Sequence, residues 1–179
     1  MAETRDFIPL RIAVLTVSDT RTTADDKSGQ TLSDLITSAG HGVAERQIVK
    51  DDIAAIRGVV EAWAARSDVD VIISTGGTGL TGRDVTIEAM RPLFEKEIEG
   101  FGTLFHMVSF QKIGTSTVQS RATAGVLKGK YIFCLPGSPG ACKDAWDEIL
   151  KFQLDYRHHP CNFVEIMPRL EEHQQRKKG

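Results

Sequence analysis

Short apolar runs alternate along this chain with longer segments in which apolar residues recur at helical spacing. The runs typical of buried strands occupy residues 12–17, 43–49, 69–74, 122–127 and 130–135. The spacing of Leu32, Leu35 and Ile36 predicts a helix that ends at Gly40 and Gly42. Further helices are predicted at residues 53–63 and from Pro139 onwards.

This alternation predicts an α/β fold, namely a three-layer αβα sandwich around a mostly parallel sheet. Lys128-Gly129 separates the last two strands and is typical of a hairpin turn, so one antiparallel strand is expected. We expect a single domain at residues 10–167, with a flexible N-terminus at residues 1–9 and a flexible C-terminal tail at residues 168–179.

Ligands of such sheets bind where the parallel strands end and the loops lead into helix N-termini. This rule selects the four loops that follow Val17, Val49, Ile73 and Leu135. The last of these loops reads Pro136-Gly137-Ser138-Pro139, in which Ser138 can cap a helix and direct its free N–H groups at a ligand. Simple capping explains the same residues equally well.

A glycine-rich segment with glycines at positions 76, 77, 79 and 82 follows the third strand. Glycines leave backbone N–H groups uncovered and tolerate positive φ, as a phosphate cradle requires. Gly77–Gly82 matches G-x-G-x-x-G, but a dinucleotide fingerprint should follow the first strand, and Arg83-Asp84 stands where a P-loop needs Lys and Ser or Thr. The order of strand, glycines and helix favours a phosphate cradle over an ordinary turn.

Three aspartates follow strand ends or the glycines: Asp19, Asp51 and Asp84. Each could be only a helix cap or a turn residue. Together they would place several negative charges beside a phosphate cradle, and at an effective dielectric constant of about 20 two such charges about 4 Å apart repel by roughly 4 kcal/mol. We therefore expect Mg²⁺ between aspartates and phosphate oxygens. Arg83 and Arg121 could add positive charge.

The 179 residues carry 22 Lys and Arg against 24 Asp and Glu, a net charge of −2. This balance argues against a nucleic-acid partner, which needs a basic face. The longest apolar run is Tyr131–Leu135, whereas a membrane-spanning helix needs about 20 residues. With no secretory pattern in residues 1–9, we expect a cytoplasmic protein without membrane contact, and its three cysteines fit reduced thiols.

Five motifs in combination resemble the MoaB/Mog family of molybdenum cofactor biosynthesis proteins. They are Ser-Thr-Gly-Gly-Thr-Gly (74–79), Arg-Asp-Val-Thr (83–86), Glu-Gly-Phe-Gly (99–102), Ser-Arg (120–121) and Leu-Pro-Gly-Ser-Pro (135–139). The resemblance extends from Ile12 to about Phe163, and the ending Pro160-Cys161-Asn162-Phe163 is most similar to the B branch of the family.

The resemblance implies an αβα fold and adenylyl transfer from Mg-ATP to the phosphate of molybdopterin, with release of pyrophosphate. Asp51 and Asp84 match the family's two functional aspartates. The resemblance therefore implies that both residues are catalytic and hold Mg²⁺. The resemblance and the loop pattern together suggest a set of substrate contacts. They are Ser18, Asp19, Thr75, Gly76, Gly77, Thr78, Gly79, Arg83, Ser120, Arg121, Pro136, Gly137 and Ser138.

Two other interpretations stay open: a non-catalytic molybdopterin carrier or scaffold, and a different nucleotide-dependent enzyme on the same fold. The resemblance also implies a homo-trimer or homo-hexamer, and other cofactor-biosynthesis proteins are possible partners. Phe101, Leu104, Phe105 and Val108 recur at helical spacing and are expected to form core or subunit interface.

Overall fold

The computed structural model describes residues 4–175 and arranges them around a six-stranded sheet. The strands are β1 (Arg11–Val17), β2 (Gly42–Val49), β3 (Val71–Thr75), β4 (Lys96–Glu97), β5 (Thr123–Leu127) and β6 (Lys130–Leu135). The helices are α1 (Lys27–Ser38), α2 (Ile53–Ala64), α3 (Thr86–Met90), α4 (Glu99–Ile113), α5 (Pro139–Ala145), α6 (Lys151–Gln153), α7 (Phe163–Ile166) and α8 (Glu172–Gln175). A π-helical turn, Trp146–Leu150, joins α5 to α6.

The strand order is β2-β1-β3-β6-β5-β4. β2, β1, β3 and β6 are parallel, and β5 pairs antiparallel with both β6 and β4. Lys128 and Gly129 have φ of 48° and 71°, as a two-residue hairpin turn requires. The predicted α/β fold with a mostly parallel sheet is confirmed. The sequence pattern predicts no strand at β4, because its two exposed residues carry no apolar signal.

Helices cover both faces of the sheet, and alternate residues of each strand face opposite layers. Ile12 and Val14 pack in a cluster with side chains of α1, α4 and α5. Ala13 and Leu15 pack on the other face with side chains of α2 and α3. β2 is the exception to the expected fully buried strands, since it is an edge strand whose residues are mostly half-buried.

Both ends of the described chain contact the domain. Arg5 forms an ion pair with Glu165 at 3.1 Å, and the Phe7 ring packs against His41 with ring centroids 5.0 Å apart. Residues 172–175 form α8. The flexibility expected for residues 1–9 and 168–179, and the domain bounds between them, stay predictions, and residues 1–3 and 176–179 lie outside the described residues.

Two further observations bear on the expectations from composition. Within residues 4–175, no helix combines the length and the apolar character that crossing a membrane requires. Cys134 and Cys142 are buried and Cys161 is exposed, and all three are free thiols.

Candidate active site

A cleft of about 720 Å³ lies at the edge where β1, β2, β3 and β6 end. Parallel pairing places Val17 beside Val49 and Thr75 beside Leu135, so the four loops selected from the sequence meet there. The cleft is lined by Val17, Ser18, Thr20, Arg21, Asp51, Gly76, Gly77, Thr78, Gly79, Asp84, Gln119, Ser120, Pro136, Gly137, Ser138 and Pro139.

Most of the residues suggested from the sequence therefore line one cavity. Four of them lie outside its wall: Asp19, Thr75, Arg83 and Arg121. These four residues instead contact one another or the loops that form the cleft. Direct contact of each with a ligand stays a prediction.

The glycine loop (residues 76–82) enters the cleft in a conformation that needs glycine. Gly76 and Gly77 have φ of +96° and +66°. A Cβ atom at Gly76 would collide with the carbonyl oxygen of Val17, and one at Gly77 with the hydroxyl of Thr86. Thr86 fixes the loop, because its hydroxyl donates to the Gly76 carbonyl (2.8 Å) and its N–H to the Gly77 carbonyl (2.9 Å).

Asp51 lies beside this loop and is partly buried. A Cβ atom built on Gly77 would lie 2.8 Å from its Oδ1, which places the carboxylate against the loop backbone. Burial raises the pKa of Asp51, and the nearby carboxylates of Asp19 and Asp84 raise it further. Asp51 is not a helix cap, since Asp52 caps α2 by accepting the N–H three residues further on at 2.8 Å.

Asp84 lies next to Gly79, where a built Cβ atom would be 2.7 Å from its Oδ2. Its carboxylate accepts the N–H and the hydroxyl of Thr81 at 2.9 and 2.6 Å. The cap position of α3 is Val85, which makes no side-chain cap hydrogen bond. Of the two structural roles open from the sequence, Asp84 therefore has that of a turn residue.

Arg83 and Arg121 are both paired with carboxylates. Arg83 donates to Asp19 at 2.6 and 2.9 Å, which lowers the pKa of Asp19, and Asp19 also accepts the Asp51 N–H at 3.2 Å. Arg121 pairs with Glu88 at 2.5 Å. The Arg121 guanidinium also donates to the carbonyls of Thr78 and Gly79 at distances of 2.8–3.1 Å. Both arginines thus hold loops of the site.

The loop after β6 packs on the glycine loop. Gly137 lies so close to Gly76 that a Cβ atom on Gly137 would be 3.2 Å from the Gly76 Cα. The fully buried Thr75 hydroxyl donates to the Pro136 carbonyl at 2.9 Å, so Thr75 supports this loop from beneath. Ser138 accepts the Ala141 N–H at 3.1 Å and caps α5, as the sequence suggests.

Thr20, Arg21 and Gln119 line the cleft and were not singled out by the sequence pattern. Thr20 and Arg21 follow Ser18-Asp19 in the loop after β1, and this position is the signal that could have selected them. Gln119 ends the 3₁₀ segment Gly114–Gln119, just before Ser120.

No group of three His, Cys, Asp or Glu side chains with metal-ligand geometry occurs among residues 4–175. Mg²⁺ in nucleotide sites usually takes one or two carboxylates together with substrate phosphates and water. Asp51 and Asp84 flank the glycine loop, and the negative charge of Asp84 contributes to the raised pKa of Asp51, so the two carboxylates fit that kind of site.

Comparison with known proteins shows the family of this chain. The sequence model of the family described as "Probable molybdopterin binding domain" matches residues 13–156. The chain belongs to the MoaB/Mog family of molybdenum cofactor biosynthesis proteins. It is 54% identical over 158 residues to molybdenum cofactor biosynthesis protein B of Escherichia coli K12, covering 88% of this chain and 93% of that protein. The Bacillus anthracis protein of the same name is 47% identical over 148 residues, covering 82% and 88%.

Solved structures of the family share the fold. A crystal structure of molybdenum cofactor biosynthesis protein B superposes with a TM-score of 0.84 at 41% identity, covering 94% of this chain and 99% of the other. The tungsten cofactor synthesizing protein MoaB of Pyrococcus furiosus superposes with a TM-score of 0.69 at 38% identity, covering 79% and 91%. The family resemblance seen in the motifs is thereby confirmed.

Proposed function

We propose that this protein is a molybdopterin adenylyltransferase that uses Mg-ATP and releases pyrophosphate. The observation that carries the proposal is that two carboxylates, Asp51 and Asp84, flank a preorganised glycine loop within one open cleft. A phosphate cradle beside acidic groups suits a metal-chelated nucleotide. The family to which the chain belongs supports molybdopterin as the second substrate.

In the proposed reaction an oxygen of the molybdopterin phosphate forms a bond to the α-phosphorus of ATP. The bond from that phosphorus to the oxygen bridging to the β-phosphate breaks, and the electron pair leaves with pyrophosphate. Such a transfer needs positioning and charge stabilisation more than covalent help from the protein. The glycine loop and the loop of residues 136–138 would position the two substrates.

Asp51 and Asp84 are the residues that would hold the Mg²⁺ that accompanies ATP. When bound, the cation would neutralise charge on the phosphates and on the leaving pyrophosphate. Arg83 and Arg121 act on the site through its loops: Arg83 through Asp19, and Arg121 through the carbonyls of the glycine loop.

The test is to incubate the protein with molybdopterin and Mg-ATP and to measure adenylylated molybdopterin and pyrophosphate. We expect both products in equal amounts, and neither when EDTA replaces Mg²⁺. Binding of molybdopterin without pyrophosphate release would instead show a carrier. Pyrophosphate release only with another acceptor would show a different nucleotide-dependent enzyme.

A further inference from the structure

Arg21 is the one Lys or Arg side chain among the cleft-lining residues of the described chain. Its guanidinium is anchored from two sides: one terminal nitrogen donates to the Ser28 hydroxyl at 2.8 Å, and the other to the Gly137 carbonyl at 2.9 Å. Arginine has five N–H groups, so three have no hydrogen-bond partner among residues 4–175. The side chain is 32% exposed, so these groups can reach a ligand.

The positive charge of Arg21 is also less compensated than that of Arg83 or Arg121. Its nearest carboxylate, Asp26, lies 3.9 Å away and is already paired with Arg46 at 3.0 Å. Asp26 is buried, but hydrogen bonds from the protein outweigh this burial and lower its pKa, so it is a single negative charge between two arginines. The exposed Asp25 lies farther from Arg21, turned toward Thr22, and water screens its charge.

Arg83 and Arg121 differ from Arg21 in this respect. Each of them has a carboxylate of its own within 2.6 Å, Asp19 and Glu88 respectively. An anion that bound to either would have to compete with that carboxylate, whereas an anion at Arg21 would not.

The cleft therefore has two ends of opposite charge. Asp51 and Asp84 lie against Gly77 and Gly79 of the glycine loop. Arg21 instead lies beside Gly137, which packs against Gly76. A metal-chelated polyphosphate suits the acidic end, and a phosphate without metal suits the basic end.

We propose that Arg21 is the anion-binding residue of the cleft and that it receives a phosphate group that carries no metal. The assignment rests on the proposed function in one respect: the metal-free phosphate would then be the phosphomonoester of the acceptor substrate. A planar guanidinium held by Ser28 and Gly137 can donate two parallel hydrogen bonds to such a group.

Binding of inorganic phosphate in the presence of EDTA tests the assignment without turnover. The amide resonances of Gly76, Gly77 and Gly137 would report the dissociation constant in a titration. We expect Arg21→Gln to raise this constant at least tenfold and Arg21→Lys to raise it less. Arg169→Gln, which removes the same charge from an exposed arginine paired with Glu172, should leave it within twofold of the parent.

Equal phosphate affinity in Arg21→Gln and Arg169→Gln, or no phosphate binding by the parent, would overturn the assignment. If Arg21→Gln disturbs the loop of residues 136–138, Ser28→Ala decides, because it removes one anchor and leaves the charge. We expect Ser28→Ala to weaken phosphate binding severalfold, and unchanged affinity would count against Arg21.

The two proposals can fail separately. If phosphate binds through Arg21 but no adenylylated product forms, the Arg21 assignment stands and the transferase proposal is wrong. If Arg21→Gln forms product with an unchanged KM for molybdopterin, the transferase proposal stands and the Arg21 assignment is wrong. If both hold, Arg21→Gln raises the KM for molybdopterin and leaves the KM for Mg-ATP unchanged.

Discussion

The carboxylate of Asp51 is held in a position that disfavours its charge, partly buried and near the carboxylates of Asp19 and Asp84. A group whose pKa is raised in the folded state opposes folding while it is ionised, and this cost disappears as the pH falls through the raised pKa. Protein stability alone does not explain such an arrangement. Proteins commonly keep destabilising groups where function needs them.

We therefore predict opposite effects of Asp51→Asn on turnover and on stability. Adenylyl transfer should fall by about a hundredfold, the scale of one lost transition-state contact. The free energy of unfolding at pH 7 should be no lower than that of the parent, because the substitution removes a partly buried charge that nearby carboxylates repel. Steady-state kinetics and urea unfolding on the same sample measure both quantities.

Asp84→Asn should lower turnover by a similar factor, and the double variant should be little worse than either single one if both residues serve one metal-bound state. The control is Asp70→Asn, since Asp70 pairs with Arg11 at the other end of β1. This variant should keep the turnover of the parent. If Asp84→Asn has the turnover of the parent, Asp84 has no catalytic role and only stabilises the turn through its hydrogen bonds with Thr81.

The glycines of the loop should differ in how much each contributes to stability. Gly77→Ala should destabilise the fold by about 1–3 kcal/mol, because the backbone φ is +66° and the new methyl group would collide with Thr86. Gly82→Ala is the matched control, since a Cβ atom there has nothing within 4 Å, and it should change stability by less than about 0.5 kcal/mol. Equal unfolding midpoints for the two variants would show that the loop adapts.

The sequence identifies residues of the site only where the chain pattern carries the information. Asp51, Asp84 and the glycines follow strand ends, so the topology of a parallel sheet brings them together. Arg21 gains its role from Gly137, which is 116 positions away, and no local pattern reports that contact. The pairing of Arg83 with Asp19 is equally non-local, 64 positions apart.

At the scale of elements, apolar runs predict the strands that have neighbours on both sides, because these are buried on both faces. β1 and β3 are examples. Apolar runs do not reveal β4, whose existence depends on pairing with β5 rather than on its own residues. They also overstate the burial of β2, because an edge position is a property of the sheet and not of the strand.

The hairpin between β5 and β6 offers a stability test at this scale. Lys128 has φ of 48°, a left-handed conformation that costs a residue with a Cβ atom about 1–2 kcal/mol and that asparagine tolerates better. Lys128→Asn should raise the free energy of unfolding by about 0.5–1 kcal/mol. Gly129→Ala should lower it by about 1 kcal/mol, because its φ is 71° and a methyl group would press on Glu171 at 3.0 Å. Unfolding midpoints that move in the same direction would contradict this interpretation of the turn.

At the scale of the whole molecule, His41 makes stability depend on pH. Its buried Nδ1 accepts the Leu10 N–H at 3.0 Å, so the folded state needs the neutral ring. Burial lowers its pKa below 6.5, and Asp155 opposes this only in part. The unfolded state therefore binds more protons just below pH 6.5, and stability should fall as the pH drops from about 6.5 toward the lowered pKa.

His41→Asn keeps an acceptor for the Leu10 N–H and removes the titrating ring. The difference in unfolding free energy between pH 7.5 and 5.5 should be smaller in this variant than in the parent. An identical pH dependence in the two proteins would exclude His41 as a source of acid sensitivity.

The apolar surface of α4 bears on the assembly of the whole molecule. Within the predicted stripe, Phe101 and Phe105 lie in the core and Val108 is half-buried, whereas Leu104 is 41% exposed toward the outer side of α4. That outer side also carries Met107, Phe110 and Ile113, each more than half exposed. A helix with large apolar residues on its outer side as well as its inner side is normally covered on both, which supports the predicted homo-trimer or homo-hexamer.

We predict that the protein in solution has three or six times the 19.7 kDa mass of one chain, with the outer side of α4 in the interface. Phe110→Glu should dissociate it, because burying an unpaired carboxylate in an apolar interface is costly. Ile53→Glu, which places the same charge on an exposed apolar residue of α2, should leave the mass unchanged. Light scattering at micromolar concentration decides between the outcomes. A 19.7 kDa parent would contradict the oligomer, and a Phe110→Glu variant that keeps the parent mass would place the interface elsewhere than on α4. Dissociation by both variants would show that the effect is not specific to α4.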